Sequence, residues 1–117
     1  MTQTSHAGRC HCGAVHFAVN SELDDPLRCN CSFCRRRGAI VQKVPHEKFR
    51  LLAGENDLHV YGNREFSRHL FCRHCGIHVF TRIISEGEPV MAVNLACLDG
   101  VDLASFTPRE FDGATLL

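Results

Sequence analysis

Tryptophan is absent and tyrosine occurs once among the 117 residues, which leaves little for a surface that stacks on unpaired nucleic-acid bases. Charge of one sign is also lacking. Thirteen Lys and Arg meet thirteen Asp and Glu, so no overall field draws nucleic acid or an anionic membrane. Neither is an expected partner. No stretch approaches the run of roughly 18 apolar residues that a membrane-crossing helix requires. Met1 to Asn20 has no continuous apolar segment of the kind found in an export signal, because polar residues, His and Cys interrupt it throughout. A cytoplasmic, reducing setting is therefore expected. Internal repeats, low-complexity tracts and linkers are missing too, and one domain over residues 1–117 is expected at this length.

No window shows a convincing 3.6-residue apolar stripe, which argues against a helical fold. Alternation is present instead. Val15, Phe17 and Val19 would share one face of a strand over Ala14 to Val19. A second apolar run, Ala39 to Val44, stops at Pro45, which suits a strand end, and Pro45 to Phe49 is expected to form a short helical turn. Leu58 to Tyr61, His69 to Phe71, Ile77 to Arg82 and Val90 to Leu95 read as further short strands. Turn signals separate them at Ala53 to Asp57, Tyr61-Gly62-Asn63 and Ser85 to Pro89. The expectation is a mainly β domain of roughly six to eight short strands.

Eight cysteines in so short a chain are the strongest departure from ordinary composition. In a reducing compartment, clustered cysteines are more often metal ligands than disulfide partners. Seven of the eight fall in three clusters: Cys10-His11-Cys12-Gly13, Cys29-Asn30-Cys31-Ser32-Phe33-Cys34 and Cys72-Arg73-His74-Cys75-Gly76. Cys-x-x-Cys-Gly is a zinc-knuckle sequence, in which the turn N–H groups point at the sulfurs and the Gly takes the positive φ of the turn. Cys12-Gly13 ends its cluster in the same way. Pairing Cys10 and Cys12 with Cys72 and Cys75 supplies four thiolates for a closed, structural zinc site. His11 and His74 then read as exposed turn residues, and the isolated Cys97 as a small buried hydrophobe.

The middle cluster offers three thiolates, Cys29, Cys31 and Cys34. Three protein ligands and one open position is the pattern of a catalytic zinc, where a substrate thiol would be activated. Two alternatives stay open: a histidine such as His46, His69 or His78 closing the site, or an iron–sulfur cluster with an outside ligand. Arg35 and Arg36, in the run Arg35 to Arg37, are candidates to grip substrate carboxylates, since guanidinium groups pair with them bidentately.

These clusters together resemble the glutathione-dependent formaldehyde-activating enzyme family, which also includes centromere protein V. The likeness runs through Gly8 to Phe17, Cys29 to Gly38, Phe71 to Gly76, Val93-Asn94, Cys97 to Gly100 and Phe111 to Gly113. It implies small β-sheets in a tent-like arrangement and a structural zinc on Cys10, Cys12, Cys72 and Cys75. It implies a catalytic zinc on Cys29, Cys31 and Cys34. The implied activity is condensation of glutathione with formaldehyde to S-hydroxymethylglutathione, catalogued in reverse as a carbon–sulfur lyase. The expected partners are thus a small-molecule thiol and a small carbonyl compound. His46 or a water is expected to supply the proton. The alternative is a non-catalytic zinc module binding a protein or nucleic acid, for which Arg64, Arg68 and Arg73 would have to join Arg35 to Arg37 in space.

Overall fold

The structure, a computed structural model, describes residues 4–62 and 65–116; Asn63 of the second turn signal and Arg64 lie outside them. Among the described residues there are ten strands. These are β1 (Ser5–Arg9), β2 (His16–Asn20), β3 (Leu27–Cys29), β4 (Val41–Pro45), β5 (Phe49–Ala53), β6 (Leu58–Tyr61), β7 (Ser67–Cys72), β8 (His78–Ser85), β9 (Glu88–Asn94) and β10 (Arg109–Phe111). Two short helices are α1 (Ser32–Arg37) and α2 (Gly113–Leu116). The chain is mainly β. No helix of the described residues is long and apolar enough to cross a membrane.

The expected strands are present with shifted ends, and a 3-10 turn stands at His46–Lys48. Four strands exceed the expectation: β1, β3, β5 and β10. β3 and β10 are three residues each, too short for alternation to register. β1 is exposed along most of its length and carries Gly8 at its one buried position, so it shows no apolar pattern.

The strands form a three-stranded sheet, in order β1-β2-β5, and a seven-stranded sheet, in order β10-β3-β4-β9-β8-β7-β6. Every pairing is antiparallel except that of β10 with β3, which is parallel. The main core lies between the sheets. From β2, Phe17 stacks on Phe49 at 5.4 Å, and Phe49 meets Phe80 of the large sheet at 4.7 Å. Val15, Val19, Val79, Val93 and Leu95 complete it, all nearly inaccessible to solvent. Alternation along the large sheet then forces its other face outward. Leu27, Val41 and Ala92 make a small second cluster there, with Ile83 packed against it. That second face is the floor of the cavity described below.

Gly8 is required by packing. A Cβ at this position would overlap the ring of Phe17 opposite it, and Phe17 is only 1% exposed and cannot withdraw. Gly8→Ala is therefore expected to cost about 1–3 kcal/mol, the usual range for forced overpacking. Urea denaturation measures it, and an unchanged midpoint would contradict this account of the core.

Candidate metal centres

The four-cysteine centre joins two turns. Cys10 leaves β1, its N–H bonds to the Val15 carbonyl at 3.2 Å, and the Val15 N–H donates to the Cys10 sulfur at 3.4 Å. Gly13 closes this turn at φ +84°. Cys72 ends β7, and Gly76, at φ +79°, returns its N–H to the Cys72 carbonyl at 2.9 Å. The His74 N–H donates to the Cys72 sulfur at 3.4 Å. The two turns bring all four sulfurs within 4.8 Å of one another. Cys10 and Cys72 are 1% exposed and belong to the main core. His74 turns outward to Asp57, with Nε2 to Oδ1 at 2.8 Å, and His11 is exposed.

The three-cysteine centre is built on a helix start. Cys29 ends β3, and the Cys31 N–H donates to its sulfur at 3.4 Å. Cys31 caps α1, its own sulfur accepting the Cys34 N–H at 3.4 Å. Cys34 sits within the first turn of that helix, so its side chain returns toward the cap. The three sulfurs lie within 4.8 Å of one another, and no histidine joins the group among the described residues. Gly38, at φ +70°, ends the helix, with its N–H on the Cys34 carbonyl at 2.9 Å.

Electrostatics favour a cation here. Burial pushes the Cys34 thiol up to about 12, with Arg37 opposing the rise and the Cys31 and Cys29 sulfurs adding to it. Three sulfurs this close cannot all ionise unaided, because like charges disfavour one another. A bound metal ion removes that conflict.

Asn30, between two of the cysteines, is clasped by the C-terminal segment. Its N–H bonds to the Phe111 carbonyl at 3.1 Å, and its side chain donates to Asp112 Oδ1 at 3.1 Å. Its Oδ1 accepts the Ala114 N–H at 2.8 Å. Asn30→Ala is expected to weaken metal binding at this centre by about tenfold, as loss of a supporting partner usually does, and to leave the four-cysteine centre unchanged. Competition with a chromophoric chelator measures this, and equal affinities would count against the clasp.

A cavity of about 640 Å³ opens beside the three cysteines, all of which line it. Lys43, Thr81 and His69 face it from the large sheet, while Phe33, Tyr61, Phe66 and Phe111 supply aromatic walls. None of Cys10, Cys12, Cys72 and Cys75 is among its lining residues. Phe33, between Cys31 and Cys34, packs on the His69 ring at 3.9 Å.

Arg35 and Arg36 are exposed, and Arg36 caps back on the Ser32 carbonyl at 2.8 Å; neither lines the cavity. Arg37 does. Its Nη2 donates to the Cys34 sulfur at 3.4 Å, and its Nη1 lies 2.8 and 2.9 Å from the two ring nitrogens of His78. Burial, with Arg37 and His69 adding, pushes His78 down to about 3, so its ring is neutral and accepts from Arg37. His78 Nε2 is 2.9 Å from Thr81 Oγ1, which is itself 2.8 Å from His69 Nδ1. The helical spacing from Cys34 to Arg37 was the available signal for this contact, since residues three apart share a helix face.

His46 stands elsewhere, exposed, with Nε2 at 3.5 and 3.4 Å from the carboxylates of Glu47 and Glu88, and does not line the cavity. Cys97 is 6% exposed, and its thiol donates to the His78 carbonyl at 3.7 Å. Arg73 reaches the Asn56 carbonyl beside the other centre.

Residues 5–111 match the family model described as glutathione-dependent formaldehyde-activating enzyme. Relatives from Penicillium rubens and Aspergillus terreus, which carry that description provisionally, are 31% and 28% identical. Each match covers 90% of this chain, but 58% and 56% of the relatives' own lengths. The chain thus spans about half the length of the curated relatives it matches. A crystal structure of a Rhodobacter sphaeroides protein is 37% identical, with a TM-score of 0.80 over 89% of this chain and 97% of that one. With a family match over nearly its whole length, the chain belongs to the glutathione-dependent formaldehyde-activating enzyme family.

Proposed function

We propose that this protein is a zinc-dependent enzyme of the carbon–sulfur lyase type. It condenses a glutathione-like thiol with formaldehyde or a related small carbonyl compound to a hemithioacetal. The observation that carries this reading is that the three-cysteine centre lines the 640 Å³ cavity, while the four-cysteine centre does not.

The donor sets fit zinc. Tetrahedral zinc with four thiolates at its usual bond length separates neighbouring sulfurs by about 3.8 Å; Cys10 to Cys12 is 3.7 Å and Cys12 to Cys72 is 3.6 Å. Cys10, Cys12, Cys72 and Cys75 would hold a structural ion, and Cys29, Cys31 and Cys34 a catalytic one. When bound, zinc supplies a positive charge that lowers the pKa of a thiol, so that sulfur is nucleophilic near neutral pH.

In the reaction the sulfur bonds to the carbonyl carbon and the C=O π bond opens. The proton that leaves sulfur finishes on oxygen, so no oxidant is needed; the reverse step breaks the C–S bond. Phe33, Tyr61, Phe66 and Phe111 keep the cavity apolar and limit water around the reactants. Among the described residues, Lys43, whose Nζ lies 5.6 Å over the Phe111 ring, and Arg37 are the Lys and Arg side chains lining the cavity. Lys43 is suited to a carboxylate of a peptide thiol, the role the sequence pattern assigned to Arg35 and Arg36. A substrate that must stay a reduced thiol is in keeping with a cytoplasmic setting.

Thiol–formaldehyde exchange, followed by NMR with glutathione as the thiol, tests the reading. The wild-type protein should accelerate it and Cys31→Ser should not. Equal rates for both proteins would overturn the proposal.

A further inference from the structure

We propose that Arg37 is the positioning residue that lets the three-cysteine centre accept a fourth, anionic sulfur ligand. This rests on the reading that a thiol substrate closes that centre. A divalent ion with three thiolates carries one net negative charge, and a fourth thiolate makes it two. The site then needs a nearby positive group that cannot give up its proton, and arginine meets that need.

The geometry fixes this guanidinium at both ends, on Cys34 of the centre and on His78 of β8. Nη2 donates to the Cys34 sulfur at 3.4 Å, drawing charge off that ligand. Nη1 donates to Nδ1 of the neutral His78 ring at 2.8 Å. A His78 tautomer protonated at Nε2 satisfies both neighbours, donating to Thr81 Oγ1 at 2.9 Å while Nδ1 accepts from Arg37. The Phe33 ring lies 5.1 Å below the guanidinium carbon. Arg37 Nε is buried and has no hydrogen-bond partner among the described residues, an expense that packing alone would not select. Arg37 forms no ion pair with a carboxylate among the described residues, so its charge is directed at the sulfurs. An orienting partner of this kind typically changes affinity or activity by about 10- to 100-fold.

The test uses the full chain loaded with cobalt(II) and titrated with 2-mercaptoethanol, an uncharged thiol with no carboxylate for Lys43 to grip. The sulfur-to-cobalt charge-transfer absorbance reports thiol entry, and the closed four-cysteine centre provides a constant background that verifies folding. Arg37→Gln should need about 10- to 100-fold more thiol for half-saturation. Arg37→Lys keeps the charge but cannot reach Cys34 and His78 together, and should lose about tenfold. Half-saturation equal to wild type in either folded variant would overturn the inference while leaving the proposed function intact. If the wild-type protein itself shows no thiol-dependent change, both fall.

Discussion

Cys72→Ser should leave the protein unfolded, or nearly so, at room temperature. Cys72 and Cys12 are 60 residues apart in sequence, and their sulfurs are 3.6 Å apart in space. A metal across that span closes a loop whose entropy cost, treated as for a covalent cross-link of this length, is about 4 kcal/mol. Structural zinc contributes about 10–16 kcal/mol of binding free energy in small domains, against a total stability of about 5–15 kcal/mol for an ordinary fold. Cys72 is also 1% exposed within the main core, so the remaining thiolates would be left poorly compensated in a dry setting. Circular dichroism during a thermal melt measures the outcome, and a chelator strong enough to strip the four-cysteine centre should reproduce it. Cys97→Ala is the control. That residue is also buried, at 6% exposed, but belongs to neither sulfur group, so its loss should cost only about 1 kcal/mol for a small cavity. Equal melting temperatures for Cys72→Ser and wild type would show that the β1–β2 turn and the end of β7 hold together without the metal.

Cys31→Ser should have the opposite profile, with a large chemical effect and a small structural one. Native mass spectrometry should find two zinc ions on the wild-type protein and one on the variant. Thiol–formaldehyde exchange should fall by about 100- to 1,000-fold, the rate equivalent of a few kcal/mol of lost transition-state stabilisation. The fold should survive for two reasons. Cys31 is outside both apolar clusters, and serine is an equally good or better cap for α1. The three-cysteine loop also keeps its anchors through Asn30 to Phe111, Asp112 and Ala114. One zinc on both proteins would rule out the proposed catalytic role of Cys29, Cys31 and Cys34 and favour a binding module stapled by the four-cysteine centre.

Local order in the chain accounts for what could be read in advance. Cys-x-Cys-Gly and Cys-x-x-Cys-Gly each make a tight turn whose own N–H groups face its sulfurs, a property of a few consecutive residues. The alternation of Val15, Phe17 and Val19 likewise marks a strand without reference to its partners. β3 and β10 were not legible, because three residues carry no period, and their existence depends on β10 lying beside β3 and β3 beside β4. Gly8 gave no strand signal because its small size serves the Phe17 ring across the pair.

The arginine run shows the same division. Its three residues are chemically alike, and the sequence reading put forward Arg35 and Arg36 and passed over Arg37. Only the end of α1 at Gly38, and the position of His78 on β8, select which guanidinium turns toward Cys34. His46 is similarly indistinguishable in sequence from His69 and His78, yet strand order sends it to a pair of carboxylates outside the cavity lining. By itself, then, the sequence determined the mainly β class, the three thiol clusters and the family. Tertiary structure decided which face of the large sheet became a cavity, which cysteines line it and which cation stands beside them. Ligand turns are set by neighbours in sequence, whereas a cavity and its charge are set by residues that meet only when distant strands pair.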